Sequence, residues 1–179
     1  LLVESSIRDW EWVIGVNLWG VIYGVHTFLP ILLGQGEDCH IVNTASIAGV
    51  ITGPGMGIYC VTKHAVVALS EALHHEMQLM QTKVGVSVLC PAWVNTKIVD
   101  SGRNRPAEVA NESDELSPIA QMLHDYTRQV VNAGVSPDVI ADRVVDAVRG
   151  NDFYILTHLE MMRAVQLRMD AILNGTAPR

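Results

Sequence analysis

The feature that most constrains this chain is an alternation of short apolar segments with longer helical segments. Residues 40–44, 84–90 and 153–157 are short, rich in β-branched or aromatic side chains, and typical of buried strands. Strands that alternate with helices of about ten or more residues form right-handed crossovers and a parallel sheet. The sequence therefore predicts an α/β fold with a doubly wound, Rossmann-like parallel sheet and helices on both faces.

Helical periodicity or helix-start signals surround these strands. A hydroxyl cap at Ser5 or Ser6 precedes an apolar helix that runs toward Pro30, and Ser136-Pro137-Asp138 is a strong start signal for a later helix. The other predicted helices cover residues 59–81, 118–133 and 159–173.

Composition excludes several classes of protein. A hydrophobic content of 49% gives the chain enough apolar surface to fold. A net charge of −7 with only 12 lysines and arginines argues against a nucleic-acid partner, which needs clustered positive charge. The three cysteines are too few and too widely spaced for a disulfide framework or a zinc site, and we expect no metal.

Residues 13–34 contain no Asp, Glu, Lys or Arg, which makes them long enough for a transmembrane helix. Asn17, His26, Pro30 and the absence of basic flanks favour a helix buried in a core or interface instead. We therefore expect a cytoplasmic protein without a membrane span.

Two segments, residues 46–59 and 91–117, follow predicted strands, and ligands of parallel sheets bind beyond the carboxyl ends of the strands. Tyr59, at the end of the first segment, and Lys63 are four residues apart and share one face of the predicted helix. A nearby ammonium lowers the pKa of a phenol, which makes Tyr59 a candidate general acid or base. Ser46 lies 13 residues before Tyr59 and could hold a substrate oxygen beside the phenol.

Four motifs together make the sequence similar to the short-chain dehydrogenase/reductase family. They occur in the family's order and spacing and cover roughly the last two-thirds of its usual domain. The motifs are Asp9-Trp10 with Val16-Asn17-Leu18-x-Gly20, Ile41-Val42-Asn43-Thr44-Ala45-Ser46, Tyr59-x-x-x-Lys63, and Pro91-Ala92-Trp93-Val94-Asn95-Thr96.

The resemblance implies specific roles. Tyr59 matches the residue that exchanges a proton with the substrate oxygen, Lys63 the one that lowers its pKa and binds the nicotinamide ribose, and Ser46 the one that orients the substrate oxygen. Asn17 matches an asparagine that holds a water in a proton relay. The turn from Pro91 to Thr96 matches the segment that binds the nicotinamide carboxamide, to which Pro91, Ala92, Val94 and Thr96 contribute.

Two departures from the family pattern affect the interpretation of the cofactor-binding residues. Ala92 stands where the family usually has glycine, which shifts the turn slightly rather than abolishing binding. The family's glycine-rich phosphate loop and ribose selector are expected upstream of Leu1, in about 90 to 110 further residues. Residues 1–179 then form the C-terminal part of one domain, and the cofactor is NAD or NADP.

The resulting hypothesis is an NAD(P)-dependent oxidoreductase that interconverts a secondary alcohol and a ketone. Residues 97–133 are predicted to form a lid over a small, apolar substrate. We expect a homodimer or homotetramer. The alternative is a non-catalytic fragment that acts as an oligomerisation or binding module, and a membrane-anchored protein is a third reading.

Overall fold

The computed structural model describes residues 1–111 and 115–178. Its sheet contains three parallel strands in the order β1 (Cys39–Thr44), β2 (Val84–Cys90) and β3 (Tyr154–Leu156). The first pair is in register from Cys39 opposite Val84 to Thr44 opposite Leu89, and β2 pairs with β3 from Val88 opposite Tyr154. The predicted parallel α/β arrangement is confirmed.

Six α-helices accompany these strands in the described residues. Serine hydroxyls cap several of them as predicted: Ser6 accepts from the amide of Asp9, and Ser136 accepts from that of Asp138. The helices are α1 (Ile7–Ile14), α2 (Gly20–Gln35), α3 (Gly57–Leu79), α4 (Pro118–Asn132), α5 (Pro137–Gly150) and α6 (Met162–Leu173).

The alternation of side chains along β2 places a helix layer on each face of the sheet. Val84, Val86 and Val88 pack against α3 and the half-buried side of α2. Leu89 points to the other face and packs with Ile140 of α5. The expected helices on both faces are therefore present.

The helix predicted to be buried on several sides is only half-buried. Helices α1 and α2 join through a π turn at Gly15–Trp19, and no residue of the three elements is classed as buried. One side of α2 packs on the core, while Trp19, Tyr23 and Phe28 are largely exposed because nothing in the described chain covers them. Residues Ile7–Gln35 are long and apolar enough to span a membrane, which for one helix is weak evidence.

The segment after β2, predicted as the first half of a lid, contains two 3-10 turns, Ile98–Asn104 and Ala107–Val109. Arg105 connects this segment to α1 by hydrogen bonding. Its guanidinium donates to Asp9 Oδ1 at 2.6 Å, and Asn111 donates to the same oxygen at 2.8 Å. Glu112 and Asp114, which contribute to the charge of this predicted lid, lie outside the described residues.

The hydrogen bonds to the Asp9 carboxylate predict that the free energy of unfolding falls in acid. Burial acts to raise the pKa of Asp9, but hydrogen bonds from Asn111, Arg105 and Ser6 outweigh it and lower that pKa to about 2. A carboxylate whose pKa is depressed on folding stabilises the protein above its unfolded pKa, and that contribution is lost as pH falls through the folded pKa. We expect Asp9 to contribute about 2 kcal/mol at neutral pH, lost between about pH 4 and pH 2.

Urea unfolding of the intact protein at neutral pH and near pH 2 measures this contribution. The difference in unfolding free energy between wild type and Asp9→Asn should shrink over that range. Asp38→Asn, which changes an exposed carboxylate, is the control. A difference that stays constant with pH contradicts the assignment.

Candidate active site

Ser46, Tyr59 and Lys63 come together at the edge of the sheet where β1 and β2 end. Ser46 follows β1, and its hydroxyl donates to the carbonyl of Pro91 at 3.3 Å and accepts from the amide of Ala48 at 3.2 Å. Tyr59 lies in the first turn of α3, close enough to Ser46 for the serine hydroxyl to act on its pKa. The amine of Lys63 lies 5.6 Å from the centre of the Tyr59 ring. Three of the four predicted catalytic residues, Ser46, Tyr59 and Lys63, are therefore neighbours.

Lys63 is held in place by the end of β1. Its side chain is 9% exposed, and Nζ donates to the carbonyl of Thr44 at 2.9 Å. An ammonium has three donors, so this contact leaves two for other partners. Burial lowers the pKa of Lys63, and the neighbouring Cys90 acts in the opposite direction.

The predicted effect of Lys63 on the pKa of Tyr59 stays a prediction, because burial is the largest influence on that pKa in this structure. Burial raises the pKa of Tyr59, and the hydrogen bond with Ser46 offsets only part of that increase. The physical reason is that a half-buried phenol loses more hydration as a phenolate than its neighbours restore. In this state Tyr59 is a proton donor at neutral pH.

Asn17 lies in the π turn between α1 and α2, a distortion that often marks functional positions. Its amide donates to the hydroxyl of Thr62 at 3.3 Å, and that hydroxyl donates to the carbonyl of Tyr59 at 2.8 Å. Asn17 is thus linked to the helix that carries Tyr59 and Lys63. Its predicted role in a water relay stays a prediction.

The segment from Pro91 to Thr96 forms an extended turn directly after β2. The amide of Val135 donates to the carbonyl of Trp93 at 3.1 Å, and the amide of Asn95 donates to the carbonyl of Val135 at 2.9 Å. Gly134 allows this approach, because a Cβ there would lie 2.5 Å from the Trp93 oxygen. The turn therefore lies against the segment that follows α4.

The pairing with Val135 leaves the backbone amide and carbonyl of Val94 on the opposite side of the turn. Successive peptide groups of an extended chain alternate in direction, so the amide and carbonyl of Val94 point away from Val135. Neither group makes a hydrogen bond with the residues that the structure describes. Thr96 accepts from the amide of Ile98 at 3.4 Å, which leaves its own hydroxyl hydrogen to donate.

These groups fit the cofactor that the sequence predicts. A carboxamide needs both a donor and an acceptor, which Val94 offers on one edge, and Thr96 adds a second donor. The free donors of Lys63 suit a ribose diol. Pro91 and Ala92 hold the turn by backbone contacts, since Pro91 accepts from Ile47 and Ala92 donates to a histidine.

That histidine, His158, is the site residue that sequence reasoning missed. It lies two residues after the end of β3 and is 6% exposed. A polar residue after the third parallel strand was the available signal, because that position lies at the same edge as Ser46 and Pro91.

The glycine-rich loop that precedes α3 lies against α4. A Cβ on Gly55 would lie 2.9 Å from Leu123 of α4, and Gly55 has a φ of +76° that favours glycine. The loop and the helix are therefore in contact. Exposed apolar side chains, Ile119 and Met122, lie on the same helix.

Comparison with known proteins identifies relatives of this chain. Residues 2–107 match the family model described as short chain dehydrogenase. A CLA biosynthesis dehydrogenase/reductase of Lactiplantibacillus plantarum is 33% identical over 177 residues, which are 98% of this chain and 62% of that protein. A C alpha-dehydrogenase of Sphingobium is 30% identical over 179 residues, covering 98% of this chain and 56% of that protein.

Among solved structures, a short chain dehydrogenase/reductase from Burkholderia phymatum in complex with NAD is similar, with a TM-score of 0.97 and 42% identity. The match covers 100% of this chain and 64% of that one. The chain thus spans less than two thirds of these relatives.

Proposed function

Because this chain belongs to the short-chain dehydrogenase/reductase family, we propose that the intact protein is an NAD(P)-dependent oxidoreductase that interconverts a secondary alcohol and a ketone. One observation carries the proposal: Tyr59 is a neighbour of Ser46, and the Lys63 amine lies 5.6 Å from the centre of the Tyr59 ring, at the edge where β1 and β2 end. A phenol, a hydroxyl and an ammonium in one place can hold and protonate an oxygen on which negative charge develops.

In the proposed reduction, Ser46 donates a hydrogen bond to the carbonyl oxygen and fixes its position. Tyr59 donates its hydroxyl proton to that oxygen as the carbonyl carbon gains a hydride. A bound nicotinamide supplies the hydride, or accepts it in the reverse direction. Lys63 stabilises the phenolate that remains on Tyr59. In alcohol oxidation the same phenolate takes the hydroxyl proton of the substrate.

The residues proposed to hold the cofactor are those of the turn and of α3. Val94 would bind the carboxamide through its outward amide and carbonyl, with Thr96 donating beside it, and Lys63 would donate to the ribose hydroxyls. Pro91 and Ala92 would keep the turn in position. Residues 97–133 would close over the substrate, and Ile119 and Met122 favour an apolar one.

The first test is turnover by the intact protein with a panel of apolar secondary alcohols and ketones, followed by the absorbance of the reduced nicotinamide. We expect turnover with NAD or NADP, and Ser46→Ala should lower kcat/KM by about 10²-fold through loss of a positioned donor. The dissociation constant for NADH serves as control and should stay the same. Turnover of Ser46→Ala at the wild-type rate contradicts the role of Ser46.

A second candidate is a non-catalytic oligomerisation or binding module. The half-exposed apolar side of α2 favours it, because a soluble protein normally covers such a surface. The same surface supports our proposal that the enzyme is a homodimer or homotetramer. We propose separately that the enzyme is cytoplasmic. Failure of the intact protein both to bind NADH or NADPH and to turn over any substrate favours this candidate.

A further inference from the structure

His158 makes a set of contacts that no catalytic role uses. Its Nδ1 accepts from the amide of Ala92 at 3.1 Å, and its Nε2 lies 3.1 Å from the carbonyl oxygen of Trp93. The hydroxyl of Thr157 lies 2.8 Å from Nδ1. One buried ring therefore contacts two successive residues of the turn that precedes Val94.

These contacts define which nitrogen carries the hydrogen. The amide of Ala92 can only donate, so Nδ1 is an acceptor without a hydrogen. The neutral ring then carries its hydrogen on Nε2 and donates it to the carbonyl of Trp93. The hydrogen-bond network thus assigns the Nε2–H tautomer.

The ring and the segment after α4 act on the same carbonyl. The Trp93 oxygen accepts from His158 on one side and from the amide of Val135 on the other, both at 3.1 Å. These two donors fix the rotation of the peptide group before Val94. Because neighbouring peptide groups alternate, the direction of the Val94 amide and carbonyl depends on that rotation.

We propose that His158 is a positioning residue that orients the nicotinamide-binding turn by accepting from Ala92 and donating to Trp93. The inference rests on the proposed function for the identity of the ligand. It adds that recognition of the nicotinamide end depends on a residue beyond β3, distant in sequence from the turn. Since Val135 shares the Trp93 carbonyl, the turn is also linked to the end of α4.

Binding to the intact protein tests this role with two probes, NADH and ADP-ribose, which lacks the nicotinamide. Calorimetry of His158→Phe should show a dissociation constant for NADH raised about tenfold or more, and one for ADP-ribose within about twofold of wild type. The NADPH and 2′-phospho-ADP-ribose pair is measured in parallel. Equal weakening of both probes, or no weakening of either, overturns the proposal.

Conservative variants keep the test decisive if His158→Phe does not fold. His158→Asn retains an acceptor near the Nδ1 position, and His158→Gln retains a donor near the Nε2 position. Each should bind NADH more weakly than wild type, with the dissociation constant for ADP-ribose unchanged. Loss of ADP-ribose binding in parallel with NADH binding in both variants overturns the positioning role.

A spectroscopic measurement is independent of the cofactor. The ¹⁵N chemical shifts of the His158 ring in the intact, ligand-free protein should report the Nε2–H tautomer at neutral pH. The Nδ1–H tautomer or a doubly protonated ring overturns the proposal. A wild-type protein that binds neither NADH nor NADPH instead overturns the proposed function, while the tautomer still reports on the contacts of His158.

Discussion

Tyr59→Phe is expected to lower kcat for NAD(P)-coupled turnover by about 10²- to 10⁴-fold, the range that a general acid or base contributes. The variant removes only the hydroxyl that neighbours Ser46 and keeps the ring at the start of α3. Cofactor affinity should stay within about twofold of wild type, because the turn and Lys63 are unchanged. Steady-state kinetics together with calorimetric NADH binding measure the two effects separately.

The chain offers a matched control for this substitution. Tyr23 of α2 is 61% exposed, and Tyr23→Phe removes the same atom far from Ser46. It should leave kcat and KM within about twofold of wild type. Turnover of Tyr59→Phe within tenfold of wild type contradicts the assigned proton transfer.

The pH dependence of kcat/KM in the wild type also tests proton transfer by Tyr59. Burial raises the pKa of Tyr59, so the phenol is protonated at neutral pH. Ketone reduction needs the proton and alcohol oxidation needs the phenolate, so kcat/KM for oxidation should rise with pH through the alkaline range. A rise that is the same in Tyr59→Phe contradicts the assignment.

The fold was largely predictable because its determinants are local. The strand at residues 84–90 was delimited by its apolar run and by Pro91, and the predicted bounds are those of β2. The Ser136 cap and Pro137 likewise marked the start of α5. Four-residue spacing on one helix then brought Tyr59 and Lys63 together, which the structure bears out.

The features that were not predicted depend on contacts between distant segments. The exposure of α2 depends on what covers its outer side, which the residues of the helix do not determine. The direction of the Tyr59 pKa depends on how much hydration the folded chain removes. The contact of His158 with Ala92 joins residues 66 apart in sequence, and no short motif encodes such a pair.

Lys63→Met is the second substitution with a large expected effect. The amine lies 5.6 Å from the centre of the Tyr59 ring, so its positive charge attracts the negative charge of a phenolate on that ring. Loss of this attraction destabilises the phenolate and the transition state that resembles it, so we expect kcat to fall about 10²-fold. Loss of the proposed ribose donor should also raise the dissociation constant for NADH, which Tyr59→Phe should not do.

Two measurements distinguish a loss of stability in Lys63→Met from a loss of catalysis. Methionine keeps the length and packing of the buried stem but leaves the Thr44 carbonyl without its donor, which costs about 1 to 3 kcal/mol of unfolding free energy. Urea unfolding measures that cost directly. Lys83→Met changes an exposed lysine and should leave both kinetics and stability unaltered. If Lys63→Met retains wild-type kcat and NADH affinity, the ammonium has no part in the chemistry, and Tyr59 with Ser46 must stabilise the developing charge alone.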